Sequence, residues 1–217
     1  MKYLIQDECN IQRCSDGFIL TMMQKFLVFV LVLMSLGTAG LGYVYFSQPQ
    51  QELRGTALDN PHYVGDVRLD NSQLGDVALS RWQGDVTVVF FGFTRCPDVC
   101  PMTMSRLADI YDNLENRDDV QVVMITVDPM HDTPDTTQRY AEAFHPEFVG
   151  LSGTSESIAA AARQFYIGYQ NTSEGLMTHT DVVAILDREA NLRMIYGQDK
   201  LRWLERDLQT LIADRDF

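Results

Sequence analysis

The chain has 217 residues, 46% of them hydrophobic, and its 30 acidic side chains outnumber 17 basic ones for a formal net charge of −13. That length suits one globular domain with an appendage. The acidic balance argues against a nucleic-acid partner, because binding a phosphate backbone draws on clustered Lys and Arg.

The opening residues 1–25 are mixed in character, with Lys2 and Arg13 beside Asp7, Glu8 and Asp16. Met22 and Met23 begin a compact start, "MMQKFLVFV", so the working start is expected at Met22 or Met23. That would remove Cys9 and Cys14 from the functional count, and an intact-mass measurement tests it. Residues 26–46, "FLVFVLVLMSLGTAGLGYVYF", hold 21 uncharged positions. At about 1.5 Å per residue they match the roughly 30 Å hydrocarbon core of a bilayer. Tyr43, Tyr45 and Phe46 crowd the far end as interfacial aromatics do. A transmembrane anchor is therefore expected, with a cleaved signal peptide as the alternative because of the small residues in "SLGTAGLG". Lys25 flanks the near side, while Glu52 and Arg54 cancel beyond it. The positive-inside rule then puts the N-terminus in the cytoplasm and the bulk of the chain outside, in an oxidising compartment. Acidic residues near the start speak against a mitochondrial transit peptide. The expected setting is the bacterial cytoplasmic membrane, with the C-terminal domain on the periplasmic side.

Residues 47–62 read as a polar linker carrying a solvated His62, and 63–217 as the folded domain. "VGDVRLDNSQLGDVALSRWQGD" suggests a small β-hairpin. "DVTVVFFGF" is a buried strand. "PMTMSRLADIYDNLENR" is a helix with Met104, Leu107, Ile110, Tyr111 and Leu114 at helical spacing and Pro101 in its first turn. "VQVVMITVD" is a second buried strand. "TPDTTQRYAEAFH" is a helix capped by Thr133 with Pro134 at its first position. "FVGLSG" is a brief strand or turn, and "TSESIAAAARQFYIGY" a helix capped by Thr154 or Ser155. "DVVAILDREANLRMIYG" gives two strands around a turn, and "DKLRWLERDLQTLIAD" a closing amphipathic helix. Alternating strands and helices ending in a hairpin imply an α/β domain of three layers around a mixed sheet.

The chemistry concentrates in "FGFTRCPDVCP", Phe91 to Pro101. Cys96 lies in a loop after a strand and Cys100 at the cap of the next helix. Unpaired N–H groups and the positive dipole end there favour thiolate. With an i, i+4 offset the two thiols can meet. The pair can close a disulfide, grip a soft ion, or be two inert buried cysteines. His131 follows a strand end and could approach the cysteine loop; His145 reads as a plain loop residue; nothing in spacing links His179 to Cys96. Met104 and Met124 read as core filling, and Met102 and Met177 are weaker thioether candidates.

Four blocks, "FGFTRCPDVCP", "VMITVDPMHDTP", "FVGLSGT" and "MTHTDVVAILD", in this order resemble the Sco/SenC family of copper-handling proteins. The resemblance runs from about Val64 to the C-terminal helix. It implies a thioredoxin-like fold with a mixed central sheet flanked by helices, carried on one N-terminal membrane helix. It also implies one copper ion per chain, as Cu(I) and/or Cu(II), held by Cys96, Cys100 and His179, with Asp128 and His131 as supporting residues behind the ligands. The implied role is assembly of the copper centre of cytochrome c oxidase. The partners would be the oxidase's copper-bearing subunit or another copper chaperone, and Cys96 and Cys100 double as a redox-active pair able to form a disulfide. His131 stands where relatives commonly have arginine, Thr180 replaces a more usual serine, and "AILDREAN" lacks the aromatic and the glycine turn often seen there. The alternatives are a thiol–disulfide oxidoreductase that keeps the oxidase's copper-site cysteines reduced, and a redox sensor. Thioredoxin-type oxidoreductases carry a cis-proline facing the cysteines before a late strand, whereas the last proline here is Pro146.

Overall fold

A computed structural model describes residues 8–46, 52–171, 177–179 and 181–217. The chain divides into two units, residues 1–51 and 52–217. The described residues of the first form one helix, α1 (Glu8–Phe46). Its stretch Gln24–Tyr43 has a mean hydropathy of 2.0 over 20 residues and buries none of it inside the protein. Among the described residues it is the one helix long and apolar enough to cross a bilayer.

The second unit is built on a six-stranded sheet. Its strands are β1 (Thr56–Tyr63), β4 (Val86–Gly92), β5 (Val120–Thr126), β6 (Val149–Leu151), β9 (Val182–Leu186) and β10 (Asn191–Gly197). Their order is β1-β10-β9-β4-β5-β6. β4, β5 and β6 run parallel, and β9, β10 and β1 continue the sheet antiparallel. The sheet is therefore mixed, as expected. All seven residues of β4 are buried, which is why its sequence is a continuous β-branched and aromatic run rather than an alternation. The expected early hairpin is β2 (Arg68–Asn71) with β3 (Gly75–Ala78), and a bridge from Asp70 to Ser152 ties it to the domain.

Helices α2 (Val99–Asn113), α3 (Pro134–Glu142), α4 (Ser155–Gln164) and α5 (Leu204–Ala213) flank this sheet. The helical period is visible in α2, which buries Cys100, Thr103, Met104, Leu107, Ile110 and Tyr111 along one stripe. α2 packs against α5, and α3 lies on β5 and β6. Thr133 caps α3 through its side chain with Pro134 in the first turn, and Thr154 caps α4. A short hairpin, β7 (Tyr169–Asn171) with β8 (Met177–His179), precedes β9.

Three local expectations change. The stretch read as linker supplies β1, which pairs with β10 through an irregular register between Ala57 and His62. His62 is partly buried and its Nε2 lies 2.9 Å from the carbonyl of Gln164. His145 is no plain loop residue: it is buried, its ring centroid 4.7 Å from Tyr111 and 5.2 Å from Phe148, and its Nδ1 accepts the Glu147 N–H at 3.2 Å. Met104 and Met124 fill the core with no exposure, as read from the sequence.

Candidate thiol and metal site

β4 ends at Gly92 and releases the chain into the cysteine loop, and α2 takes it up at Val99. Gly92 is required here by close approach. A Cβ at this position would meet Phe90 Cε1 at 2.7 Å and Cys100 Sγ at 3.3 Å, so the second sulfur lies over the strand end. Cys96 closes a tight turn by donating its N–H to the Phe93 carbonyl at 3.2 Å. α2 has Asp98 at its N-cap without a side-chain cap bond. The Sγ of Cys96 takes that place, accepting the Cys100 N–H at 3.4 Å. Cys96 thus ends up as a sulfur cap over the first turn of the helix that carries Cys100.

The two sulfurs, present as thiols, differ sharply in surroundings. Cys96 is partly exposed and Cys100 buried. Burial pushes the Cys100 thiol well above its usual range. Its hydrogen bond with Cys96 and the negative charges of Cys96 and Asp181 add to the rise, and a backbone bond with Phe93 opposes it. This corrects the local expectation that the helix N-terminus favours thiolate at Cys100. That residue sits one position inside the helix and beneath protein, where desolvation outweighs the dipole.

A ring of polar side chains holds the loop. Asp132 is fully buried and accepts three hydrogen bonds: from Thr94 N (2.9 Å), Thr94 Oγ1 (2.5 Å) and Thr126 Oγ1 (2.7 Å). It clamps the loop to the end of β5 at the entry to α3. Arg95, immediately before Cys96, donates to Asp128 Oδ2 at 2.8 Å. The Nδ1 of His131 lies 2.9 Å from Asp128 Oδ1 and 2.7 Å from Arg95 Nη2. One ring nitrogen either donates to the carboxylate or accepts from the guanidinium, so the imidazole proton decides which partner it serves. Burial would raise the Asp128 carboxyl, but the hydrogen bonds and positive charges of His131 and Arg95 hold it below the usual carboxylate range. Asp128 and His131 therefore meet around Arg95, the residue that leads into Cys96.

The third expected residue approaches from the sheet. β9 is antiparallel to β4 with Val183 opposite Phe90, so the chain enters β9 at the same end at which β4 leaves for the cysteine loop. Asp181, at that entry, is one of the charges felt by Cys100. The backbone of His179 pairs with Tyr169 in the β7–β8 hairpin. The side chains of His179 and Met177 lie outside the described residues. Among the described residues no cluster of three or more His, Cys, Asp and Glu side chains forms a metal-sized group. Met102 and Met130 are surface residues, 59% and 81% exposed.

Arg95 and Asp132 were missed from the sequence alone. Arg95 reaches Asp128 33 positions on and Asp132 reaches back 38 positions to Thr94, and no periodicity marks such pairings. The Asp of "HDTP" was the one available signal, since an acid between a loop and a capped helix commonly binds backbone.

The sheet order, the strand–loop–helix junction and the paired cysteines define a thioredoxin-like protein with its thiols at the first strand-to-helix crossover. More narrowly, residues 55–212 match the SCO1/SenC family model, and the chain belongs to that family. It is 36% identical over 178 residues to the mitochondrial SCO1 homolog 1 of Arabidopsis thaliana, covering 74% of this chain and 53% of that protein. The match thus spans about half the length of that relative. The apo Sco1 structure from Thermus thermophilus superposes with a TM-score of 0.68 at 38% identity, over 76% of this chain and 98% of that one. Arabidopsis ScoI, solved with copper bound, superposes with a TM-score of 0.63 at 32% identity, over 71% and 97%.

Proposed function

We propose that this protein is a membrane-anchored copper chaperone that serves assembly of the copper centre of cytochrome c oxidase. It holds one copper ion through Cys96, Cys100 and His179. The observation that carries the reading is the pairing of two sulfurs at one helix start, the Cys100 amide on the Cys96 sulfur, at the sheet end where the His179 segment enters β9. Two thiolates and an imidazole make a soft donor set suited to Cu(I) and able to hold Cu(II), and zinc fits the same ligands. Copper in the related Arabidopsis structure supports the choice of metal. The partner is the copper-bearing oxidase subunit or a second copper chaperone. The apolar helix anchors the chain in the bacterial cytoplasmic membrane, with the domain on the periplasmic side.

The test is copper content of the full chain purified in detergent. The parent is expected to hold about one copper per chain, and Cys96→Ser, Cys100→Ser and His179→Ala each to lose it. Unchanged stoichiometry in His179→Ala would remove that residue from the ligand set.

A second reading is reduction of a disulfide at the oxidase's copper site. It is favoured by the partial exposure of Cys96, which leaves one sulfur open to attack, with Cys100 beside it to resolve the mixed disulfide. Restoration of oxidase activity by added copper in a deletion strain would speak for delivery rather than reduction.

A further inference from the structure

A single nitrogen, Nη2 of Arg95, meets two partners beside the cysteine loop. It lies 2.8 Å from Asp128 Oδ2 and 2.7 Å from Nδ1 of His131. The same Nδ1 lies 2.9 and 3.0 Å from the two carboxylate oxygens of Asp128. The three groups cannot all be satisfied at once. A bare Nδ1 accepts from Arg95 but turns its lone pair toward the carboxylate. A protonated Nδ1 donates to Asp128 but faces the guanidinium N–H to N–H. The imidazolium also sets a second positive charge beside that of Arg95.

Which group yields is decided by how each is held. The side chain of Asp128 is 4% exposed, and its amide donates to Thr126 Oγ1 at 3.0 Å. The His131 amide donates to the Asp128 carbonyl at 3.0 Å, so one turn fixes acid and imidazole to each other. Arg95 reaches in from the other loop on a long side chain that is 51% exposed. It is the member free to leave. Other charges nearby are engaged elsewhere: Asp132 turns inward to Thr94 and Thr126, and Asp135, in the first turn of α3, pairs with Arg139 at 2.7 Å. Burial would raise the Asp128 carboxyl, but the hydrogen bonds and charges of His131 and Arg95 hold it below the usual carboxylate range. It therefore stays ionised between pH 5 and 8, the interval in which histidine serves as a switch.

We propose that His131 is a proton-operated latch on the cysteine loop. Neutral His131 keeps Arg95 folded onto Asp128. Protonated His131 takes both carboxylate oxygens for itself and drives the Arg95 side chain into solvent. Asp132 is then the carboxylate that still anchors the loop, and the cation of Arg95 stands free next to the half-exposed Cys96. The latch acts on the loop and is independent of which metal or partner the thiols serve.

The experiment follows the full chain in detergent, thiols kept reduced, from pH 8 to pH 5 by NMR, with 13C at the histidine Cε1 positions and 15N in the arginine side chains. His131→Gln identifies the His131 signal by its loss and puts a side chain that does not titrate at a half-exposed position. Arg95→Lys identifies the Arg95 signal in the same way. In the parent, the Arg95 guanidinium signal is expected to move with the same midpoint as His131. In His131→Gln it should stay constant. The amide of Cys96, bonded to the Phe93 carbonyl, reports the hold on the loop. Its protection from hydrogen exchange, relative to that in His131→Gln at the same pH, should fall about three- to tenfold across the transition, as for loss of one half-exposed charge-assisted bond. Co-titration of Arg95 with His131 together with that fall supports the latch. It is overturned by an Arg95 signal that stays fixed while His131 titrates, by an Arg95 shift that persists in His131→Gln, by a His131 that does not titrate between pH 8 and 5, or by Cys96 protection that follows the same course in both proteins.

Discussion

Replacing Asp132 by alanine should unlock the cysteine loop. The carboxylate has no solvent exposure and accepts hydrogen bonds from Thr94 N, Thr94 Oγ1 and Thr126 Oγ1 at 2.5–2.9 Å. Each bond to a charged acceptor is worth about 1.5–3 kcal/mol, but the three share one carboxylate and do not add. Asp132→Ala leaves Thr94 N, Thr94 Oγ1 and Thr126 Oγ1 without this acceptor, at about 1–3 kcal/mol for each buried donor left unsatisfied, so a total of about 3–5 kcal/mol is expected. For a unit of this size each kcal/mol moves the melting temperature by about 2–4 °C, so the drop should be about 6–20 °C. Asp132→Asn keeps one carbonyl acceptor and should lose less. Thermal unfolding of the full chain in detergent measures the global cost. Hydrogen exchange at Thr94 measures the local one, because its amide gives up its hydrogen bond to the Asp132 carboxylate. A drop below about 1 kcal/mol in Asp132→Ala, or unaltered exchange at Thr94, would refute the clamp.

Asp128 makes stability depend on acid. Its folded carboxyl ionises below the usual value of 3.8, so between the two values the unfolded chain binds more protons than the folded one. Its contribution is complete at neutral pH and is lost as pH falls from about 3.8 through the lower folded value. Melting curves of Asp128→Asn across that window should be flatter than those of the parent, and parallel curves would contradict the assignment. Gly150→Ala should destabilise by about 1–3 kcal/mol or more, because the new methyl group meets the backbone of Thr137 and Gln138, which cannot swing aside as a side chain does. Urea unfolding checks it, and a change within about 0.5 kcal/mol would count against that close approach.

The parts of the fold legible in the sequence are those set by local rules. β4 and β5 announce themselves as apolar β-branched runs, α2 by its helical stripe, and α3 and α4 by threonine caps that the structure shows accepting amide hydrogen bonds. β1 was illegible because "TALDNPHY" is largely exposed and carries a proline; only pairing with β10 makes it a strand. Of the β7–β8 hairpin, three residues a side, the sequence reading put Tyr169 at the end of a helix and gave the rest no element. Within the site, the cysteine loop could be read from its motif. The hold on that loop could not, since Thr94–Asp132 and Arg95–Asp128 join residues 38 and 33 positions apart. The one local electrostatic argument that misled concerned Cys100, where a helix terminus was weighed without the protein above it.

The unequal burial of the sulfurs bears on both proposed chemistries in the same way. A partner's sulfur or a delivered ion meets Cys96 first, because Cys100 has no surface to offer. The second bond, to metal or to sulfur, then requires Cys100 to give up a proton that burial helps it keep. A bound cation removes that difficulty directly, since its charge replaces the missing solvation of the thiolate. A disulfide partner brings no such charge and must rely on neutral donors around the pair. Capture of a soft cation is therefore the easier use of this junction, and thiol exchange the one more sensitive to whatever hydrogen bonds the surrounding side chains supply.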